Sequence, residues 1–181
     1  MSTTSTPSST DAKKGGLTLR ELVFLALIAA IIVGAKEAMS PLPNIEPVTV
    51  LLIMTTIVFG ARAFYPCVIF VLAEGLIYGF GWYFFVYCYV WPILVLAALL
   101  VRRVNRSFVV WTVFGALFGL FFGPLCCIEA WVVDGWRMAF SYWISGIPFD
   151  IIHFVGNAAL CGVLLKPLTT LLYRLTGIEP A

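Results

Sequence analysis

Residues 145–168 read SGIPFDIIHFVGNAALCGVLLKPL, and this stretch decides what kind of fold the chain can adopt. It has the length and apolar character of a transmembrane helix, which needs about 20 predominantly apolar residues. It also carries Asp150, His153 and Asn157, and His153 is the only histidine in the chain. Because polar side chains are costly in hydrocarbon, such residues within a span face the bundle interior or a cavity.

The composition of the whole chain is that of an integral membrane protein. Of its 181 residues, 62% are hydrophobic and only 11% are charged, whereas an average soluble domain has about 25% charged residues. One water-soluble core cannot bury so much apolar side chain, so the chain needs an apolar solvent. The net charge of +2 does not point to a nucleic-acid partner, and none is expected.

Six apolar segments predict an all-α bundle of six transmembrane helices. They cover residues 19–38, 47–61, 63–79, 82–101, 108–128 and 147–173. The second segment is shorter than the ~17 residues that a span needs, so it is expected to be tilted, re-entrant or shielded by its neighbours. The amphipathic stretch WRMAFSYWISG, residues 136–146, is expected to form a separate interfacial helix.

The predicted domain organisation is a six-helix membrane domain over residues 19–174 between two short tails. Residues 1–18 are polar and rich in Ser and Thr, and they are expected to form a disordered cytoplasmic tail. Residues 175–181 are expected to form a short C-terminal tail. The first apolar segment is too long for the core of a secretory signal, so it is predicted to be a span.

The basic residues fall almost entirely on one side of this six-span arrangement. Only Lys36 and Arg137 lie on the other side. The rest are Lys13, Lys14, Arg20, Arg62, Arg102, Arg103, Arg106, Lys166 and Arg174. Four acids, Glu37, Glu46, Glu129 and Asp134, collect on the opposite side. The positive-inside rule therefore predicts a multi-pass plasma-membrane protein with both termini in the cytoplasm.

The polar residues of the last segment form one stripe. Asp150, His153 and Asn157 are spaced i, i+3 and i+7, so they lie along one helix face. Pro148 is expected at the start of this helix, where its missing N–H costs least, with Ser145 as a cap near it. The stripe is either a hydrogen-bonded brace between helices or a set of ligand contacts in a cavity.

Three further polar residues are candidates for ligand contact. Glu74 lies within the third segment, in VLAEGLIYG, where a carboxylate should pair with a cation or line a cavity. Asn44 and Glu46 lie in the proline-braced loop SPLPNIEPVT. This loop either closes over a site or serves only as a tight connector.

Aromatic residues crowd the predicted outer half of the bundle. Trp111 is the one tryptophan placed in the inner half. Trp and Tyr are typical of membrane interfaces in general, but this uneven distribution also suits a cup for a flat heterocyclic ligand. Trp82, Tyr87 and Trp143 are the candidate stacking residues.

The sequence carries no recognisable catalytic or metal motif. It contains no GxxxxGK[ST] loop, no HExxH and no GxSxG, and one histidine cannot build a multi-histidine metal site. No catalytic residue, metal or cofactor is therefore predicted. The five cysteines lie in apolar runs and are interpreted as buried hydrophobes. The adjacent Cys126 and Cys127 leave open the alternative of a small intramembrane enzyme or thiol-redox protein, with Glu74 or His153 as its other reactive groups.

Small residues recur at helix-packing spacing in two segments. Ala26 and Ala30 form such a pair in the first segment, and Gly115, Gly119 and Gly123 form a double GxxxG in the fifth. Small residues let helix backbones approach closely in lipid. The glycines are predicted to pack within the chain's own bundle.

Over residues 19–172 the chain resembles the substrate-binding S components of energy-coupling factor (ECF) vitamin transporters. The resemblance lies in the size, the six spans with both ends inside, and the motif ALIAA at residues 26–30. Its most specific parts are the loop PNIEPVT at residues 43–49 and the stretch GIPFDIIHFVGNAALCGVLLKPL at residues 146–168.

This resemblance implies a function and a set of partners. An S component binds a vitamin or related micronutrient at its outer face. It then docks on a membrane T component that carries two ATPase subunits, and it topples in the bilayer to release the substrate inside. Ala26 and Ala30 match the docking motif, and ATP hydrolysis belongs to the partner chains, so this chain is expected not to be an enzyme. The resemblance does not fix the ligand.

Overall fold

The computed structural model describes residues 16–42, 44–104 and 107–178, and this part of the chain is mostly helical, with no strand. The predicted all-α class is confirmed. The predicted N-terminal tail lies almost wholly outside the described residues, as do Lys13, Lys14 and Arg106. The last helix ends at Thr176, so it extends two residues into the segment predicted as a C-terminal tail.

Seven α-helices follow one another along the described residues, with a 3-10 turn over Gly60–Ala63 and a π-helical stretch over Cys161–Leu165. They are α1 Leu19–Ala38, α2 Val48–Phe59, α3 Phe64–Tyr78, α4 Trp82–Val104, α5 Phe108–Asp134, α6 Trp136–Leu160 and α7 Lys166–Thr176. Thr18 caps α1: its hydroxyl accepts a hydrogen bond from the backbone N–H of Glu21, and the Glu21 carboxylate accepts one from the N–H of Thr18.

Four helical stretches among the described residues are long and apolar enough to cross a membrane. They are Val48–Tyr78, Trp82–Val104, Phe108–Asp134 and Trp136–Thr176. The structure is thus compatible with a multi-pass membrane protein, but it gives a coarser count than the six spans predicted from the sequence. The count is lower for two reasons. Helix α1 is not included, because it carries Arg20, Glu21, Lys36 and Glu37. Helices α2 and α3 count as one stretch, because the 3-10 turn connects them without a break.

A sharp bend separates α2 from α3. Gly60, with φ of +62°, adopts the left-handed conformation that favours glycine. Arg62, two residues later, is hydrogen-bonded to Glu21 at the start of α1. Tyr78 at the other end of α3 donates a hydrogen bond to Glu37 near the end of α1, at 2.6 Å. Helix α3 therefore runs beside α1 in the same direction.

These contacts distinguish two ends of the bundle. At the arginine end, defined by Arg20, Arg62 and Arg102, the Arg20 guanidinium donates a hydrogen bond to the Leu175 carbonyl at 2.6 Å. At the opposite end, called the cavity end below, α1 and α3 terminate and α4 begins. Glu37 and Tyr78 meet there. Arg20 and Arg62 thus lie at the opposite end of the bundle from Glu37, as the charge pattern of the sequence predicted, while Glu21 lies with the arginines.

Helix α2 is the central helix of the bundle. Every residue of α2 except Ile57 is buried. Thr55 and Thr56 bond their hydroxyls to the carbonyls of Leu51 and Leu52, at 2.6 and 2.8 Å, so these buried hydroxyls have partners. Of the alternatives expected for this short segment, the structure supports shielding by neighbouring helices.

The predicted interfacial helix over residues 136–146 is not a separate element. Helix α6 runs unbroken from Trp136 to Leu160, so Pro148 lies inside a helix and not at its start. Ser145 is not a cap, because its hydroxyl donates a hydrogen bond to the Ser141 carbonyl at 2.9 Å. Membrane helices tolerate an internal proline because local adjustments and neighbouring groups satisfy the freed backbone atoms.

Candidate functional site

A cavity of about 380 Å³ lies at the cavity end, between the loop of residues 39–47 and helices α1, α3, α4, α5 and α6. Its polar wall consists of Lys36, Ser40, Asn44, Glu46, Glu74 and His153. Its aromatic wall consists of Tyr78, Tyr83, Phe84, Tyr87 and Phe122. A mostly apolar concavity with a few convergent polar groups is the usual form of a small-molecule site.

The one lysine in this wall is fully engaged by its neighbours. The Lys36 ammonium donates hydrogen bonds to Glu74 on α3 and, at 3.3 Å, to the adjacent Glu37. It also lies 4.4 Å from the centre of the Tyr78 ring, within cation–π range. The Glu74 side chain is only 5% exposed, so Lys36 compensates a carboxylate that would otherwise be buried without a counter-charge.

Three buried polar atoms in residues of the cavity wall have no hydrogen-bond partner among the described residues. They are Oε1 of Glu46, Oε1 of Glu74 and Nε2 of His153. The His153 Nε2 and Glu46 Oε1 atoms are 3.6 Å apart, which is too far for a hydrogen bond. An unsatisfied buried polar group costs about 1–3 kcal/mol. Their convergence on one cavity therefore marks a place where a ligand can supply the missing partners.

Glu46 is the titratable group that the loop contributes to the cavity wall. Its side chain is only 16% exposed. Burial raises the pKa of its carboxyl from 4.5 to about 8, while Lys36 opposes this rise and Glu74 adds to it. Burial therefore favours the protonated form of Glu46 at neutral pH.

The aromatic wall offers flat apolar surfaces opposite these polar groups. Tyr87 packs against the buried rings of Phe70 and Trp91, with centroid distances of 6.0 and 5.5 Å. Phe122 meets the imidazole of His153 edge-on at 4.8 Å. Since these rings are held by other rings, their positions are fixed before any ligand arrives.

The structure brings together five of the residues that the sequence proposed for ligand contact: Asn44, Glu46, Glu74, Tyr87 and His153. They come from the loop and from helices α3, α4 and α6. Asn44 has a positive φ of 56°, a conformation that asparagine tolerates better than most residues. The loop after α1 is thus part of the cavity wall.

Asp150 and Asn157 lie on the same buried stripe as His153 but act as a brace. The Asp150 carboxylate accepts a hydrogen bond from the Gly123 N–H at 2.9 Å. The Asn157 amide donates to the Gly115 carbonyl at 3.1 Å and to the Thr49 hydroxyl at 3.3 Å. Neither lines the cavity. The brace interpretation therefore fits Asp150 and Asn157, whereas the cavity interpretation fits His153.

Trp82 and Trp143 also lie outside the cavity wall. The Trp82 indole N–H donates to Glu129 on α5, and the Trp82 ring packs edge-on against Tyr142 at 5.7 Å. Trp143 lies in an apolar groove between the end of α5 and the start of α6, together with Trp131. Both tryptophans therefore occupy the helix interface near the cavity end.

Sequence reasoning missed several residues of the cavity wall, of which Lys36 is the most consequential. An isolated lysine in the last turn of an apolar helix, in the company of acids, was its only sequence signal. Phe84 and Phe122 were missed because a phenylalanine facing a cavity cannot be distinguished from one facing lipid in a single sequence. Tyr78 and Tyr83 are among the aromatic residues of the predicted outer half, but the sequence did not distinguish them as candidate stacking residues.

No protein-family model matches the chain, and no characterised protein or solved structure shows significant similarity to it. Within the described residues, no group of three or more His, Cys, Asp or Glu side chains is arranged to hold a metal ion. The function is therefore argued from the cavity and from the motifs of the sequence.

Proposed function

We propose that the chain is the substrate-binding subunit, or S component, of an ECF-type importer for a vitamin or related micronutrient. The observation that supports this most directly is the cavity, whose wall combines aromatic rings with Glu46, Glu74 and His153, three residues that each have an unpaired buried polar atom. Preformed cavities of this kind bind small molecules because little ordering is required when the ligand enters.

The proposal includes six membrane crossings with both termini in the cytoplasm. Helices α1, α2 and α3 would each cross the membrane, with the central α2 shielded from lipid by its neighbours. The arginine end would face the cytoplasm, in agreement with the positive-inside rule. The cavity end, with Glu37 and Glu129, would then face the outside, where an importer must capture its substrate.

The proposed partners are a membrane T component and two ATPase subunits. Ala26 and Ala30 are exposed on α1, and Gly34 continues the same exposed stripe one turn further. Small residues on a lipid-facing surface permit the close approach of a partner helix. The sequence lacks a P-loop of its own, so in this proposal the partner chains supply the energy for transport.

The alternative of an intramembrane enzyme or thiol-redox protein gains no support from the geometry. Cys126 and Cys127 are 6% and 8% exposed, and neither lines the cavity. Glu74 forms an ion pair with Lys36, and this pair stabilises the charge of the carboxylate and does not expose it for a reaction. We therefore retain the transport subunit as the one proposed function.

Mass spectrometry of a denatured extract from the detergent-purified protein is the direct test. A small molecule bound in stoichiometric amount would support the proposal. The matched experiment is purification from the native host, in which a T component and two ATPase chains should copurify with this chain. Recovery of neither the ligand nor the partners would contradict the proposed function.

A further inference from the structure

We propose that the cavity selects a small, flat, amino-substituted N-heterocycle, a ligand that offers several N–H donors and carries no negative charge. This inference rests on the proposed function, because it names the ligand class of the same site. It follows from the excess of hydrogen-bond acceptors in the polar wall and from the planar shape of the aromatic wall.

The polar wall has two unpaired carboxyl oxygens and, among its described residues, no free cation. Glu46 and Glu74 each have one unpaired carboxylate oxygen. Lys36 is the one cationic side chain among the described residues of the wall, and it is already shared between Glu74 and Glu37. A ligand carboxylate or phosphate would thus enter beside two acidic side chains and find no free cation to neutralise it. A ligand with N–H donors would instead form a charge-assisted hydrogen bond with Glu74 and would favour the ionised form of Glu46, which accepts a second one.

His153 adds a second contact beside Glu46. The 3.6 Å separation between His153 Nε2 and Glu46 Oε1 leaves the two atoms unbonded to each other but close enough to share one ligand group. The His153 side chain is only 3% exposed, so a protein partner for Nε2 would have to come from the immediate surroundings, and none is present there. An amino group next to a ring nitrogen can serve both atoms, since it places a donor beside an acceptor.

The aromatic wall favours a flat, electron-poor or cationic ring. Phe84, Tyr87 and Phe122 present ring surfaces to the cavity, and aromatic rings attract both stacked rings and cations. The volume of about 380 Å³ lies at the lower end of the range for small-molecule sites, about 300–1,000 Å³. A single or fused heterocycle suits this space.

The test compares two probes that share one ring framework. 2,4-Diaminopteridine carries amino donors where lumazine, the pteridine-2,4-dione, carries carbonyl acceptors. Isothermal titration calorimetry of the full-length wild-type protein in lipid nanodiscs would measure both affinities. The inference predicts that the diamino compound binds at least about tenfold more tightly. Equal affinity, tighter binding of lumazine, or no binding of either probe at millimolar concentration would overturn it.

Variants of the cavity wall test whether the preference for the diamino compound arises in the cavity. Glu74→Gln and Glu46→Gln should each reduce the ratio of the two affinities, because an amide replaces a carboxylate acceptor. Glu129→Gln is the matched control, since Glu129 lies at the same end of the bundle but outside the cavity wall. The wild-type comparison needs no variant, so it decides the matter even if a substitution prevents folding. An unchanged ratio in both folded cavity variants would contradict the inference.

The two proposals fail in different experiments. An anionic small molecule recovered from the purified protein would overturn the ligand class and leave the transport subunit intact. Conversely, a clear preference for the diamino probe without any copurifying partner would preserve the ligand class and contradict the transport complex.

Discussion

Lys36, in the last turn of α1, and Glu74, one turn before the end of α3, form an ion pair in the wall of the cavity. The lysine side chain is 15% exposed and that of the glutamate 5%. The pair therefore joins two helices at the cavity end, and it leaves one buried carboxylate oxygen of Glu74 without a hydrogen-bond partner among the described residues.

Removing only the lysine should destabilise the fold more than removing both charges. We expect Lys36→Met to lower the free energy of unfolding by about 3 kcal/mol, because it leaves a buried carboxylate uncompensated. The double variant Lys36→Met/Glu74→Gln should recover part of that loss. Thermal unfolding in detergent, run as a double-mutant cycle, measures this coupling. Strictly additive effects would show that the two side chains do not interact.

The stability of the protein should depend on pH through Glu46. Its pKa is 4.5 when unfolded and about 8 in the folded protein, so its contribution to stability is complete below pH 4.5 and is lost as the pH rises towards 8. The titratable groups around it are Lys36, Glu74, Tyr87, Cys126 and His153. Wild-type protein should therefore lose thermal stability between pH 5 and 9 relative to Glu46→Gln. Parallel melting curves for the two proteins would refute this assignment.

The packing of α5 on α6 should be sensitive to single methyl groups at the glycines. A Cβ at Gly119 would lie 2.7 Å from the His153 carbonyl oxygen, which is a backbone atom that cannot move aside freely. Gly119→Ala should therefore destabilise the protein by about 1–3 kcal/mol. Gly146→Ala is the control, because no atom lies within 4 Å of a Cβ there. The control should be neutral or slightly stabilising, since alanine favours helix.

Substitutions in the polar stripe of α6 should have two different effects: those at Asn157 should change stability, and those at His153 should change ligand binding. Asn157→Ala removes two interhelical hydrogen bonds and should lower stability by about 1–3 kcal/mol, while the folded protein retains its ligand. His153→Ala should reduce the ligand retained per folded molecule, as measured by mass spectrometry. The assignment fails if Asn157→Ala abolishes retention and His153→Ala preserves it.

Bulky residues on the exposed face of α1 should disrupt partner docking. Ala26→Leu combined with Ala30→Leu is expected to reduce copurification with the T component without changing thermal stability, because both side chains are exposed. Ala159→Leu, on the exposed face of α6, is the matched control. If the control and the α1 variant reduce copurification equally, the docking assignment is wrong.

The all-α fold class could be predicted from the sequence, because it depends on the length and hydrophobicity of individual segments. Hydrophobic length predicted helices, and charge placement predicted the separation of Arg20 and Arg62 from Glu37. The course of α6 could not be predicted in this way. Pro148 is a local signal for a helix start, but the packing of α6 on α5 overrides it.

The candidate site was predictable only in part, for a related reason. Glu74 and His153 stood out because a polar residue in an apolar segment requires an explanation. The partner of such a residue is set by distances between helices, which no single segment encodes. Asp150 and Asn157 looked identical in kind to His153, yet their hydrogen bonds to Gly123 and Gly115 place them in a brace.

Sequence alone was enough to predict an all-α chain with helices long and apolar enough to cross a membrane. The preference of a chain for an apolar solvent is a sum of contributions from its individual residues, so composition and periodicity suffice to predict it. The packed fold was needed to show that Lys36 and Glu74 pair, that Glu46 of the loop lines the same cavity, and that His153 is the one residue of its stripe in the cavity wall. These are relations between residues far apart in the chain, and they exist only once helix packing has fixed the distances.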